Sequence, residues 1–254
     1  IRLSGVFEEM FGAPYRVAHR ADLHSALLAA TRRHSGIEVS GGRSVSGLEE
    51  SGSAINITLQ DGHSVNGDIL VVADGMRSGL RKKLWPGSAS VFAGQIIHRA
   101  LTAMPPALGD GDCVNLWMGR GFHVVHYPVG NPRRLNIVAV AHEGQCVSDI
   151  SDQSCAPLQD ILAQATSWLP WEARHVPALP QWVKGRALLL GDAAHGTVPY
   201  FAQGSAMALE DAALLADVLR DGAPLATLNS RIPRVLAVHQ ASVRQGRIYS
   251  ASGP

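Results

Sequence analysis

Apolar and polar residues alternate with a period that changes several times along the chain, and each change marks an element. From Ala21 to His34 apolar residues recur at three- and four-residue spacing, with Leu23, Ala26, Leu27 and Ala30 on one face and Asp22 in the first turn. That spacing predicts an amphipathic helix. From Gly41 to Gly67 the period shortens and Gly, Asp and Asn interrupt it, which predicts a small β-meander. Its strands run over Val45–Glu49 and Ala54–Leu59, followed by a turn at Asp61-Gly62. Two runs differ from these: Ile69–Ala73 and Ala187–Leu190 are unbroken apolar stretches of strand length, ending at Asp74-Gly75 and Gly191-Asp192. Strands apolar on both faces suit a parallel sheet covered on both sides. Between them, from about Gly87 to Trp182, strand-like segments recur at Gln95–Arg99, Val114–Met118, Phe122–Pro128 and Leu135–Ala141. A helix is predicted near Leu158–Trp168, then a proline-spaced passage at Pro170, Pro177 and Pro180, and two closing helices, Gln203–Arg220 and Pro224 to about Tyr249. The whole predicts an α/β domain interrupted by a mostly antiparallel β insertion.

Composition narrows the function classes. The chain has 254 residues, 46% hydrophobic and 17% charged, as expected of an ordinary globular protein. Its net charge is +1 and no cluster of five or more Lys/Arg occurs, which argues against nucleic acid or an anionic membrane as partner. The three cysteines, Cys113, Cys146 and Cys155, fit neither a disulfide framework nor a zinc spacing, and a reducing cytoplasm suits them. No apolar run reaches the roughly 18 residues of a membrane span, and no signal-peptide pattern opens the chain. The first residue is Ile1, not Met, so the natural start is expected to lie elsewhere. Gly-x-Ser-x-Gly and His-Glu-x-x-His are both missing, which disfavours a serine hydrolase and a zinc protease.

Asp74 and Asp192 stand where open α/β sheets bind their ligands, beyond the C-terminal strand ends, and each sits beside a glycine. A carboxylate there can accept hydrogen bonds from sugar hydroxyls; equally, each Asp can cap the next helix. After Asp192 the chain runs Ala193-Ala194-His195-Gly196-Thr197-Val198-Pro199 and, through Ala202-Gln203-Gly204-Ser205, into a helix. Ala206, Leu209, Ala213 and Ala216 would form its packing face, with Glu210, Asp211 and Asp217 turned elsewhere. The helix start at Gly204-Ser205 presents N–H groups and the positive end of the helix dipole, a suitable seat for a flavin pyrimidine edge; a core helix binding nothing is the plainer alternative.

Gly191-Asp192-Ala193-Ala194-His195, with Pro199, Gln203-Gly204 and Glu210-Asp211-Ala212, resembles the second FAD motif of class A flavoprotein monooxygenases. Ala73-Asp74-Gly75-Met76-Arg77-Ser78 with Arg81 resembles that family's Asp-Gly motif, and His19-Arg20-Ala21-Asp22-Leu23 the segment whose arginine reaches FAD. Trp117-Met118-Gly119, His123 and Tyr127-Pro128 point toward its salicylate, 3-hydroxybenzoate and 6-hydroxynicotinate hydroxylases. The resemblance implies an FAD-binding Rossmann-like parallel sheet, incomplete at the N-terminus, interrupted by a mostly antiparallel substrate domain. Residues 1–87 and 183–254 would form the FAD part and 88–182 the substrate part. It implies FAD as cofactor, NADH or NADPH as reductant, and a small aromatic acid and molecular oxygen as partners. Asp192 would hold the ribityl chain; Gly191, Gln203, Gly204, Ser205 and Ala206 would surround the flavin; Arg20 would reach FAD. Asp74 would serve the pyrophosphate and the nicotinamide cofactor, and Pro199 would line the pocket beside the flavin's reactive carbon. For Arg77 and Arg81 a surface cation is the alternative.

The sequence departs from the family in four places. No Gly-x-Gly-x-x-Gly unit occurs, since Gly119-Arg120-Gly121-Phe122 and Gly109-Asp110-Gly111 lack the third glycine and the helix. The chain alone is therefore expected to bind FAD weakly or not at all, and it ends at Pro254, where relatives continue. Gly196 replaces the usual proline, and Ala202 a common glycine. On Phe122–Pro128, His123, Val125 and Tyr127 share one face, which puts an imidazole and a phenol at an expected separation of about 7 Å. The resemblance makes them the substrate contacts, and a cross-strand polar pair is the alternative. His126 is expected to be structural and His195 to shape its loop. An inactive FAD-free fragment and a flavin monooxygenase with a non-aromatic substrate stay open as other functions.

Overall fold

The computed structural model describes residues 5–109 and 111–251; Ile1, Asp110 and Pro254 lie outside them. The chain divides into two compact units, Ile1–Val39 with Ile97–Trp171, and Ser40–Ile96 with Glu172–Pro254. It is a mixed α/β chain that combines antiparallel strand pairs with a parallel pair.

The first unit opens with α1 (Val6–Phe11) and α2 (Arg20–Arg32). Helix α2 forms where its spacing demands, but it has no buried residue; Leu23 and Leu27 are 40% and 51% exposed. In the second unit come β1 (Val45–Ser51), β2 (Ala54–Leu59) and β3 (Ser64–Gly67), the expected meander, paired antiparallel in that order. Then follow β4 (Leu70–Val72) and α3 (Gly79–Leu84). Strand β5 (Val91–Ala103) crosses from the second unit into the first.

The rest of the first unit holds β6 (Asn115–Gly119), β7 (Phe122–Val129), β8 (Arg134–His142), α4 (Val147–Asp152) and α5 (Ala156–Ala163). Strand β9 (Leu169–His175) returns the chain to the second unit, and the five strands lie in the order β6-β7-β8-β5-β9. The sequence pattern missed β9, because Pro170 sits at its start; a proline is tolerated at the first positions of a strand. Phe122 and Val124 of β7, and Leu135, Ile137, Ala139 and Ala141 of β8, bury one face of this sheet. They pack on Ile150 of α4 and Leu158, Ile161 and Leu162 of α5. Each of the larger of these side chains contributes about 1.5–3 kcal/mol by leaving water. The alternation of side chains sends His123, Val125 and Tyr127 to the other face.

The second unit ends with β10 (Val183–Lys184), β11 (Ala187–Leu189), α6 (Asp192–His195), a 3-10 turn at Pro199–Phe201 and α7 (Gly204–Arg220). A 3-10 segment, Leu225–Arg231, leads into α8 (Ile232–Tyr249). The single closing helix expected from Pro224 is thus split, and Pro233, which lacks an N–H, sits in the first turn of the new helix, where none is needed. Strand β11 pairs in parallel with β4, Ala187 with Leu70 and Leu189 with Val72, as their continuous apolar runs require. The face of α7 is a correction. Met207, Asp211, Leu215 and Val218 are buried, whereas Leu209 is 55% exposed and Ala213 and Ala216 are exposed. The bulkier stripe, with more apolar area to hide, wins over the alanine stripe.

Candidate active site

The parallel pairing brings the two acid-terminated strand ends to one end of the sheet. After β4, Gly75 turns the chain at φ +84°. Asp74 is exposed, and the Leu80 N–H approaches its Oδ2 at 3.5 Å. The N-cap of α3 is Ser78, its Oγ accepting from the Arg81 N–H at 2.9 Å, and Asp74 adds only that longer contact to the helix start. Arg81 is fully buried and is no surface cation. Its guanidinium donates to the carbonyls of Ser88 (2.9 Å), Met76 (2.8 Å) and, across the strand ends, Ala193 of α6 (2.9 Å). Burial pulls its pKa below the usual value, and nearby Asp74 opposes that. Arg77 is exposed and pairs with Glu172 at 2.9 Å, as Arg174 does at 2.8 Å. Arg77, Arg81, Lys82 and Arg174, with Ala89 and Ser90, line a cationic cavity of about 240 Å³.

After β11, Gly191 adopts φ +58°, which a side chain rarely tolerates. Asp211 reaches back from α7 to hold this turn. Its Oδ2 accepts from the Gly191 N–H at 3.2 Å and lies 2.6 Å from His195 Nε2, while its Oδ1 accepts from Arg231 Nε at 2.9 Å. Burial pushes the Asp211 carboxyl up, but these bonds outweigh it and hold the group below the ordinary carboxylate range. His195 is 5% exposed and shapes the loop through this contact. Gly196 also gains a reason: a Cβ there would come within 2.7 Å of Met76 Sδ, so its bare backbone receives the Met76 side chain.

Asp192 is exposed, and its Oδ1 lies 3.8 Å from where a Cβ on Gly204 would stand. A carboxylate therefore sits at the start of α7, whose first N–H groups, at Gly204, Ser205 and Ala206, have no partner within the helix. Gln203 is the N-cap residue, and Pro199 begins the 3-10 turn just before it. Hydroxyl acceptor and amide donors stand side by side with no side chain between them, which fits the ribityl chain and pyrimidine edge of FAD. Arg20 is exposed, at the first position of α2.

On β7, His123 is 2% exposed and pairs with Met118 of β6 and Val140 of β8. Burial lowers its pKa to about 4. Tyr127 is half-buried; burial raises its pKa, while the charge of Arg99 works against that. The two side chains share a face but stand about 13 Å apart along the strand at its ordinary rise of roughly 3.3 Å per residue, not the 7 Å expected. His126 faces the helices, 1% exposed, its ring stacked on Trp117 at 6.2 Å. His123 and Tyr127 belong to the first unit, whereas Pro199, Asp74 and Asp192 belong to the second. Sequence reasoning missed the burial of Asp211 and of Arg81; for Asp211 the four-residue spacing from Met207 and to Leu215 was the available signal.

The FAD binding domain family matches residues 12–245. The 3-hydroxybenzoate 6-hydroxylase of Polaromonas naphthalenivorans is 30% identical over 97% of this chain and 66% of its own length. The 3-amino-4-hydroxybenzoate 2-monooxygenase of Streptomyces cremeus is 33% identical over 93% of this chain and 63% of its own length. Among solved structures, Klebsiella pneumoniae HpxO complexed with FAD and uric acid superposes with a TM-score of 0.86 at 27% identity, covering 97% of this chain and 67% of that one. The chain has the fold of these FAD-binding monooxygenases. This chain belongs to the FAD binding domain family of class A flavoprotein monooxygenases, and it spans a little under two thirds of the length of these two curated relatives.

Proposed function

We propose that the protein is an FAD-dependent monooxygenase that hydroxylates a small aromatic acid, phenolic or pyridine, using NADH or NADPH and molecular oxygen. The observation that carries this reading is the Asp192 carboxylate beside the start of α7, at the same sheet end as Asp74. On this reading β10, β11 and β4 are part of a Rossmann-like FAD sheet, residues 1–87 and 183–254 serve FAD, and residues 88–182 serve the substrate. Asp192 accepts from the ribityl hydroxyls. The N–H groups of Gly204 and Ser205 face the pyrimidine edge, with Gln203 and Ala206 flanking it, Gly191 lets the backbone come close, and Arg20 reaches the cofactor. Asp74 and the cationic cavity beside it suit the phosphates of the reductant.

FAD held by Asp192 and the N–H groups of Gly204 and Ser205 would supply the redox chemistry, with NADH or NADPH as electron source, one atom of O2 entering the ring and the other leaving as water. The chain's own part is to orient the ring and manage its proton. With a pKa near 4, His123 is neutral at pH 7, so it serves as a proton acceptor rather than a cation for the carboxylate. Tyr127, its pKa raised, stays protonated and donates. On this reading Pro199 lies beside the flavin's reactive carbon. The uric acid complex of the similar HpxO favours a second reading in which the substrate is a nitrogen heterocycle.

The test is flavin fluorescence quenching on titration with FAD, then oxygen-coupled NAD(P)H oxidation with 3-hydroxybenzoate, salicylate, 6-hydroxynicotinate and urate. His123→Ala should cost on the order of a hundredfold in kcat with little change in FAD affinity, and Tyr127→Phe less. No quenching with the wild-type protein would return the assignment to an FAD-free fragment, and turnover of urate alone would select the second reading.

A further inference from the structure

Three residues of α8, His239, Ser242 and Gly246, recur at helical spacing and form one stripe. Each meets the segment that joins α6 to α7. His239 Nδ1 lies 2.9 Å from Thr197 Oγ1. Ser242, fully buried, donates its Oγ proton to the Val198 carbonyl at 2.6 Å. The Tyr200 ring lies on the bare backbone of Gly246, where a Cβ would come within 2.3 Å of the ring. At its other end Tyr200 donates its hydroxyl proton to Gln95 Oε1 on β5. Pro199 sits inside this grip, and Ala202 just beyond it takes a left-handed φ of +52°. That conformation costs a non-glycine residue about 1–2 kcal/mol, so the segment is held against its own preference.

We propose that the His239–Ser242–Gly246 stripe, with Gln95, is a positioning device that fixes the Pro199–Gln203 segment in the form that receives the flavin. Gly246 is its critical member, because only a glycine leaves room for the Tyr200 ring. None of these α8 residues touches the reacting atoms; they act through the segment. The device rests on the FAD reading for what the segment does, but the grip itself can be tested without FAD.

The experiment is a double-mutant cycle between Gly246→Ala and Tyr200→Leu. Its first readout is chymotrypsin cleavage after Phe201, which is 44% exposed, in protein without FAD. The second is the FAD dissociation constant from fluorescence quenching, and the third the melting temperature. Gly246→Ala should speed cleavage and weaken FAD binding by about tenfold each, a loss of about 1.4 kcal/mol. In the Tyr200→Leu background the same substitution should change both less than twofold, since the clash has gone. Ser242→Ala should speed cleavage as well. Equal effects in both backgrounds, or effects that only follow a lower melting temperature, would overturn the device in favour of plain packing. Faster cleavage with unchanged FAD affinity would overturn its flavin-side role. Wild-type protein that quenches no flavin would sink the FAD reading instead, and the cleavage cycle would still decide the grip.

Discussion

The turn after β11 and the sheet around β7 both bury ionisable side chains, by opposite means. In the turn every buried charge is answered: Asp211 takes Gly191, His195 and Arg231, and Arg81 spreads its guanidinium over backbone carbonyls. On β7 desolvation lowers the pKa of both His123 and His126, which favours their neutral forms. The first strategy fixes a backbone shape, because each bond has a direction. The second leaves a proton-accepting group in a dry place, at the cost of sensitivity to acid. The proposed function suits this division: holding a cofactor's outline calls for the first, and handling a proton tolerates the second.

The largest expected effect comes from breaking the answered charges. Asp211→Ala strips partners from Arg231, His195 and the Gly191 N–H at once, and removing one member of a buried charge network costs about 3–5 kcal/mol. Thermal unfolding should shift down by roughly 10 °C at this chain length. A shift of only a degree or two would show that the turn holds its shape without the carboxylate.

How much of this contrast the sequence displays differs between the regions. Ile69–Ala73 and Ala187–Leu190 announce themselves as a strand pair by their unbroken apolar runs, although only Ala187–Leu189 is buried on both faces and Val71 of β4 is 40% exposed. The hairpin strands at Phe122 and Leu135 are equally plain from their composition. Asp211 is legible as part of the Glu210-Asp211-Ala212 motif but not as a buried anchor, because an acid next to Glu210 on a helix looks like solvated surface, and its inward turn shows only in the spacing Met207-Asp211-Leu215. Arg81 hides for the same reason: three cations within α3, Arg81, Lys82 and Lys83, look alike in sequence, yet one turns inward to cap strand-end carbonyls. Strand β9 was obscured by its proline. Partners distant in sequence, such as Tyr200 and Gly246, leave no local trace at all.

Acid provides the next test. His123 has a pKa of about 4 in the folded chain against the model-peptide value of 6.5. Above pH 6.5 it is neutral in both states and costs nothing. As pH falls from 6.5 toward 4 the unfolded chain takes up a proton that the folded chain refuses, and stability drops by up to about 3 kcal/mol. His123→Phe should flatten much of that loss, read as urea midpoints between pH 7.5 and 4.5. Parallel pH curves for the two proteins would mean that the imidazole is not held in the dry site its burial describes.

The smallest effect separates the two buried histidines of β7. His126 has no hydrogen-bond partner for either ring nitrogen among the described residues, is 1% exposed, and stacks on Trp117 with ring planes 24° apart. A buried polar atom without a partner costs on the order of 1–3 kcal/mol, part of which a ring of similar shape would recover. Phenylalanine keeps the stacking and removes both nitrogens, at a modest increase in volume that offsets some of the gain. His126→Phe should therefore raise stability by about 1 kcal/mol, a few degrees in melting temperature, with hydroxylation unchanged. The same substitution at His123 should spare the fold at neutral pH but abolish the proton-accepting role. If His126→Phe instead lowers turnover while the protein stays folded, the sheet handles protons from both faces, and the division between a structural and a working histidine on β7 is wrong.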